Sequence, residues 1–259
     1  MKFDVLDRRM RAFEENLDQF VLPDVYIVVR LDGRGFTRLT KELLPLARPF
    51  DERFRDAMIC TVTRLMDCGF KVSYGYTQSD EISLLLEKSE NTFGRKTRKL
   101  ISILAGEASA EFTQAMGAPG VFDCRIIPLP TDDLVVDYFR WRSEDAHRNS
   151  LSAWCYWTLR KNGLSAADAT RSVQGLSVAD KNNLLFEHGI NYNNLPAWQK
   201  RGVGFCYRMA PSSSVNPVTR EAVDVLCRKL NVEMVLPLGV EYESMLRHML
   251  MGTEGNVTA

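Results

Sequence analysis

Phe3, Leu6, Met10, Phe13, Leu17 and Phe20 recur at steps of three and four, which places them on one face of an amphipathic first helix. That face must pack on something, either the body of the protein or a second copy. "VYIVVRL" (25–31) breaks the period; it is continuous and β-branched, and predicts a strand covered on both faces. A second helix is predicted from Asp51 to Asp67, stopped by Gly69. "FKVSYGY" (70–76) and "EISLLLE" (81–87) read as two strands, and the "TQSD" between them is short enough to make a hairpin. A third helix is predicted from Arg95 to about Met116, with Leu100, Ile103, Leu104 and Ala108 on one face, and "VFDCRIIPL" (121–129) as the next strand.

The order strand, helix, strand, strand, helix, strand predicts an α+β fold: a ferredoxin-like βαββαβ unit whose antiparallel four-stranded sheet carries two helices on one face. After Pro130 the pattern turns helical, over roughly 132–161, 165–174 and 177–186, dense with Trp141, Trp154, Tyr156 and Trp157. Residues 189–208 read as a loop returning into a strand. Past Ala210, "PSSSVNP" reads as loop, an amphipathic helix follows near 217–230, and "GTEGNVTA" as a poorly ordered end. The expected organisation is a core over 1–130, including the first helix, and a helical extension with a C-terminal strand and tail over 131–259, packed together as one unit.

Composition narrows this only a little. With 259 residues and 45% hydrophobic content the chain can bury a full core. Lys plus Arg equal Asp plus Glu at 33 each, so a nucleic-acid partner would have to be met by local patches. The six cysteines never approach CxxC spacing, which excludes a zinc framework and suggests reduced thiols. The N-terminus is charged throughout and nowhere do eighteen apolar residues run together, so the expectation is a soluble, cytoplasmic protein with no membrane partner.

Candidate chemistry begins at "VVRLDGRGFTRL" (28–39). In a split βαβ sheet the third strand lies between the first two and runs antiparallel to the first. The end of the first strand therefore sits beside the start of the third, and Asp32 comes close to the "QSDE" turn carrying Ser79, Asp80 and Glu81. Two converging carboxylates are the minimal hard-oxygen site for Mg²⁺, and a pair of such ions can activate a hydroxyl and neutralise a leaving phosphate. Gly33 and Gly35 would let backbone approach a triphosphate, and Arg30, Arg34 and Arg38 could add charge-assisted hydrogen bonds. The same residues also fit ordinary turns: Asp-Gly is a favoured turn pair, and "TQSD" suffices as a plain hairpin loop.

"RLDGRGF", "RPFDERF", "YGYTQSDEISLLL", "FRWRSEDAHRNSLS" and "QGLSVADKNNLLFEHGINYNN", in that order, resemble the tRNA-histidine guanylyltransferase family and its bacterial and archaeal guanylyltransferase-like relatives. The resemblance covers residues 1 to about 208. It implies a polymerase palm-like enzyme that extends RNA in the 3′-to-5′ direction: a 5′-monophosphorylated tRNA end is activated with ATP or GTP, and the 3′-hydroxyl of an incoming nucleotide attacks the activated end, with two Mg²⁺ ions serving both steps. Carried over by position, Asp32 and Asp80 are the catalytic, metal-binding carboxylates and Gly33 a carbonyl ligand. Asp32, Gly33, Arg34, Gly35, Phe36 and Thr37, with Ser79, match the triphosphate loop. Arg30 matches a basic residue of the activation step, and Lys181 in "ADKNN" falls in a motif that touches nucleotide or RNA; Glu81 is a neighbour of the metal ligands.

Two departures from the family pattern matter. Arg48-Pro49 stands where the eukaryotic enzymes have Lys-Pro, keeping a nucleotide-binding charge but changing its geometry. His147, Arg148, Asn149 and Ser150 stand in place of "HINN", a change that resembles the branch favouring template-dependent repair of tRNAs shortened at the 5′ end; non-templated guanylate addition to tRNA-histidine is the second reading. The family resemblance also implies a homotetramer with tRNA crossing subunits. For RNA contact the candidates are the Arg95, Lys96, Arg98, Lys99 cluster, whose charge opposes a helix N-terminal dipole, His147 and Asn149, and Lys200 and Arg201 beside Trp198 in a polar, exposed loop. Trp141, Trp154 and Trp157 are assigned to the core, and His188 and His248 receive no role. A palm-fold cyclase or polymerase, or an idle RNA-binding protein, would be the competing classes.

Overall fold

The computed structural model describes residues 2–215, 220 and 222–254. In chain order the elements are α1 (Phe3–Glu14), β1 (Tyr26–Gly33), the single turn α2 (Phe36–Arg38), α3 (Glu52–Met66), β2 (Val72–Gln78), β3 (Glu81–Leu86), α4 (Thr97–Met116) and β4 (Phe122–Leu129). There follow α5 (Asp132–Lys161), α6 (Ala166–Val173), α7 (Val178–Glu187), α8 (Ala197–Arg201), β5 (Val203–Val215), β6 (Ala222–Glu233) and α9 (Gly239–Glu254). The strands form one sheet in the order β4-β1-β3-β2-β5-β6, antiparallel at every pairing.

The first four strands are the split βαβ order read from the sequence; β5 and β6 continue the sheet past β2. Alternation along β1 explains the layers. Ile27, Val29 and Leu31 turn toward Val62 and Leu65 of α3 and Leu100, Leu104 and Phe112 of α4. Tyr26 and Val28 turn the other way, against Val135, Val136 and Phe139 of α5 and Tyr242, Leu246 and Leu250 of α9. Helices cover both faces, which is why β1 carries no polar alternation until Arg30. At about 45 Å, α5 outruns the sheet. Its second half packs Leu151, Cys155 and Leu159 on Ala169 and Val173 of α6 and Leu185 of α7 as a separate cluster.

Local signals account for the helix starts. The Asp51 side chain accepts from the backbone N–H groups of Arg53 and Phe54, and Ser177 and Asp180 form a reciprocal capping box at α7. The helix expected from Arg95 begins at Thr97, because Phe93, Gly94 and Arg95 all hold positive φ (55°, 61° and 59°).

Two expectations for the C-terminal part are corrected. The stretch expected as an amphipathic helix near 217–230 is strand β6 wherever it is described, laddered along β5 from Val215↔Ala222 to Gly204↔Glu233; residues 217–219 and 221 lie outside the described residues. "PSSSV", expected as loop, is the end of β5. Pro211 is accepted there because β5 pairs with β2 only as far as Cys206, so beyond it the strand has a neighbour on one side. Helix α9 was not anticipated at all. The poorly ordered end expected at "GTEGNVTA" falls mostly on residues 255–259, outside the described residues.

Helix α1 buries none of its residues: Phe3 is 76% exposed, Phe13 70% and, just beyond it, Leu17 86%. The body of the protein therefore does not cover its apolar face. Among the described residues all six cysteines are free, and no helix is long and apolar enough to cross a membrane.

Candidate active site

Strand register sets the site. Asp32, near the end of β1, stands opposite Glu81 of β3 on one side and Asp123 of β4 on the other, and direct cross-strand partners project to the same face. Ser79 and Asp80 form the two-residue turn between β2 and β3, with Ser79 at φ 55°. The Gly33 N–H donates to the Asp80 carbonyl at 3.1 Å, locking strand end to hairpin turn. No side chain fits at 33: a Cβ there would stand 2.6 Å from the Phe36 ring and 2.9 Å from the Asp80 Cβ. The chain then turns away through the Arg34 N–H, which donates to Val121 O at 2.8 Å, and Gly35 at φ 73°. Phe36 anchors the loop, its ring 4.9 Å from that of Phe112 and 5.1 Å from that of Phe122.

The carboxylates of Glu81, Asp32 and Asp80 are treated differently. Glu81 accepts from Arg30 Nη2 and Arg142 Nη2, each at 2.5 Å, and Arg142 is tied also to Asp145 at 3.1 Å. Asp32 and Asp80 have no cationic side-chain partner among the described residues. Burial above all pushes the Asp80 carboxyl up from its ordinary value; nearby Asp32 and Glu81 push the same way, against a backbone N–H and the Ser79 hydroxyl, 3.1 Å away. Removing water from unneutralised carboxylates is costly unless a cation joins them. Among the described residues no cluster of three or more His, Cys, Asp or Glu side chains could hold a metal; Asp32 and Asp80 leave a set of two carboxylates. That set fits Mg²⁺, which takes one or two carboxylates and fills its shell with water and phosphate oxygens, and does not fit zinc.

Ser79 also lines a cavity of about 130 Å³ with Arg48, Pro49, Asp51, Trp157 and Trp198. Arg48 donates to the Thr40 carbonyl and lies 5.3 Å over the Trp157 ring; Arg55 lies 4.7 Å over Trp198.

The other sequence candidates are spread around this centre. Arg34, Gly35 and Thr37 are exposed on the loop, and Arg38, also exposed, stands 3.5 Å from Glu42. Lys181 Nζ donates to Ser152 Oγ at 3.0 Å, about 10 Å along α5 from Asp145, so it is outside the carboxylate centre. His147 stacks edge-on against Tyr192 at 5.4 Å, its buried Nδ1 without a partner; burial first, then Arg201 and Lys200, hold it below the ordinary histidine value. Asn149 donates to Asp145 at 3.2 Å.

The expected exposed loop at Trp198, Lys200 and Arg201 is corrected. Lys200 is buried with Nζ 2.7 Å from the Asn193 carbonyl, Arg201 donates to the Leu236 carbonyl at 2.7 Å, and Trp198 sits in the cleft. Around α4, Arg95 is buried and donates to the carbonyls of Val25, Lys88 and Glu90, while Lys96 and Arg98 close on Asp18 at 2.6 and 2.5 Å. Lys99 lies 5.4 Å over the Phe93 ring. Sequence reasoning missed Arg142 and Asp123. Asp123 was findable, since the split βαβ order sets β4 beside β1; Arg142 follows Val135 and Phe139 at helical steps on the buried face of α5, a pattern that marks it as inward-facing but does not name Glu81 as its partner.

Residues 7–130 match the family described as tRNAHis guanylyltransferase, and residues 133–233 match the Thg1 C terminal domain. A probable tRNA(His) guanylyltransferase of Drosophila melanogaster is 34% identical over 203 residues, covering 74% of this chain and 70% of the relative. The chain belongs to the tRNA(His) guanylyltransferase family. It is a nucleotidyltransferase of that family. The tRNA(His) guanylyltransferase of Debaryomyces hansenii is 35% identical over 74% of this chain and 77% of its own. Among solved structures, that of the Saccharomyces cerevisiae enzyme superposes with a TM-score of 0.70 at 29% identity, covering 75% of this chain and 90% of that one. A bacterial tRNA(His) guanylyltransferase-like protein in complex with ATP superposes with a TM-score of 0.74 at 26% identity, over 96% and 98%; the same kind of protein is also known with GTP, at a TM-score of 0.69.

Proposed function

We propose that the chain is a cytoplasmic, Mg²⁺-dependent 3′-to-5′ nucleotidyltransferase that activates a 5′-monophosphorylated tRNA end with ATP or GTP and adds nucleotides to it in template-dependent repair. The observation that carries this is the pair Asp32 and Asp80, joined through the Gly33–Asp80 backbone bond and left without a cation while adjacent Glu81 is neutralised twice. Magnesium, when bound, supplies charge neutralisation for the triphosphate and activation of the attacking hydroxyl. Asp32, Asp80 and the Gly33 carbonyl would hold it. The loop of residues 33–37, with Arg34, Gly35 and Thr37 exposed, and Ser79 present backbone and hydroxyl groups to the phosphates, with Arg34 as a counter-charge. The cavity of about 130 Å³ is smaller than whole-ligand pockets, so it takes a nucleobase, and Arg48 at its edge meets the phosphates.

Arg30 orients Glu81, Lys181 and His147 lie toward the RNA side, and the first 130 residues carry the chemistry while the helices after 131 carry the RNA. The exposed apolar face of α1 fits a second copy of the chain, as a homotetramer requires. Repair is favoured by His147-Arg148-Asn149-Ser150 in place of the eukaryotic motif. Guanylate addition is the second reading, favoured by the eukaryotic relatives. Offering the protein a tRNA shortened by its first nucleotide beside a full-length tRNA-histidine decides between them. Templated completion of the shortened tRNA supports repair, and guanylate added to the full-length tRNA alone would overturn it.

A further inference from the structure

Helix α5 separates two hollows. One is the cavity beneath Ser79; the other, about 430 Å³, opens between the C-terminal half of α5 and the end of α7. Pro49 and Trp157 line both, so the hollows share a wall. The second is lined by the half-buried indoles of Trp154 and Trp157 and by Lys161, Glu187 and His188, the last three exposed. The Trp154 ring N–H is buried and has no hydrogen-bond partner among the described residues. The volume lies in the range of small-molecule sites.

Two indoles beside exposed polar side chains suit a nucleobase: stacking on indole is tolerant of base identity, and a carboxylate such as Glu187 accepts from amino and imino groups on the base edge. Charge argues against a free triphosphate. Lys161 already donates to the Arg48 carbonyl at 3.0 Å, and Glu187 lines the same hollow, so a polyanion finds no cradle. We propose that this hollow receives an unpaired nucleobase from the single-stranded 3′ end of the tRNA acceptor stem. The proposal rests on the tRNA reading above: with the 5′ end at Asp32 and Asp80, the 3′ overhang leaves the same end of the stem, and the shared wall puts this hollow next to it.

The test measures dissociation constants of the full chain for a 5′-monophosphorylated tRNA, for the same tRNA without its 3′ overhang, and for free ATP and GTP. Trp154→Ala is compared with wild type, and Glu187→Lys combined with His188→Ala, both exposed positions, serves if Trp154→Ala does not fold. Wild type should lose about tenfold or more in affinity when the overhang is removed. The variants should bind intact tRNA about tenfold more weakly than wild type, bind the trimmed tRNA as wild type does, and bind free nucleotide unchanged. Equal affinity of wild type and variants for intact tRNA overturns the proposal, as does an equal loss for both RNAs. So does a loss confined to free nucleotide, which would make the hollow a second nucleotide site. Failure of wild type to bind either RNA is a different result, and removes the tRNA reading itself.

Discussion

Arg142 reaches from α5 to Glu81 on β3 with 2.5 Å between Nη2 and Oε2, while Arg30 on β1 holds the other carboxylate oxygen at 2.5 Å. One carboxylate thus ties two strands and a helix beside the turn that carries Asp80. Because the Arg142 side chain is only 6% exposed, Arg142→Ala leaves Glu81 and Asp145 short of a partner and should cost about 2–4 kcal/mol, read from urea denaturation. Arg142→Lys, which keeps the charge and loses the fork, should fall between.

Gly33 has no room for a methyl group. The obstructing Phe36 ring is wedged among Phe54, Phe112 and Phe122, and on the far side stands Asp80. Gly33→Ala should destabilise by about 1–3 kcal/mol and lower nucleotide addition more than tenfold, since the Gly33–Asp80 bond must open. Comparing thermal melting with single-turnover rates separates the two effects.

The surroundings of Asp80, burial first and then Asp32 and Glu81, oppose its ionisation. Its folded-state value is raised, so the ionised form opposes folding at neutral pH, and that opposition vanishes as pH falls below the ordinary carboxylate range, near 4. Asp80→Asn should therefore melt at a higher temperature than wild type in metal-free buffer at pH 7.5, with the gap closing toward pH 4. The same variant should be inactive. A variant that melts lower than wild type at pH 7.5 would contradict the placement of Asp80.

How much of this was legible in the chain follows from local signals. The first four strands and the helices between them were readable because each carries an unambiguous period and a cap or stop, and the convergence of Asp32 with the Asp80 turn follows from strand order alone. Residues 222–233 mislead because Ala222, Leu226 and Leu230 satisfy a helical step while Val223, Val225 and Cys227 satisfy a strand; the long ladder offered by β5 decides it. Lys200 and Arg95 looked like solvent-facing cations because their backbone carbonyl acceptors come from turns that no periodicity predicts.

Helix α9 covers the second face of the sheet. Tyr242 Oη lies 3.0 Å from Tyr74 Oη with both rings buried, and Leu246 is fully buried. Leu246→Ala should cost about 2–5 kcal/mol, measured by denaturant unfolding, although the residue is remote from Asp32.

Arg95 is structural. It donates to Val25 O at 2.6 Å and Lys88 O at 3.0 Å, so Arg95→Ala should lower stability by about 1–3 kcal/mol and leave the salt dependence of tRNA binding unchanged. A shallower slope of binding against salt would restore Arg95 as a phosphate contact.

The central claim is that Asp32 and Asp80 together carry nucleotide addition at an RNA 5′ end. Its most direct measurement is extension of a 5′-monophosphorylated tRNA lacking its first nucleotide, with labelled triphosphates and Mg²⁺, by wild type and by Asp32→Asn and Asp80→Asn. The account predicts 5′ extension by wild type, dependent on Mg²⁺, and a loss of at least a thousandfold (about 4 kcal/mol) in both folded variants. Extension that survives either substitution, or its absence in wild type, would contradict it.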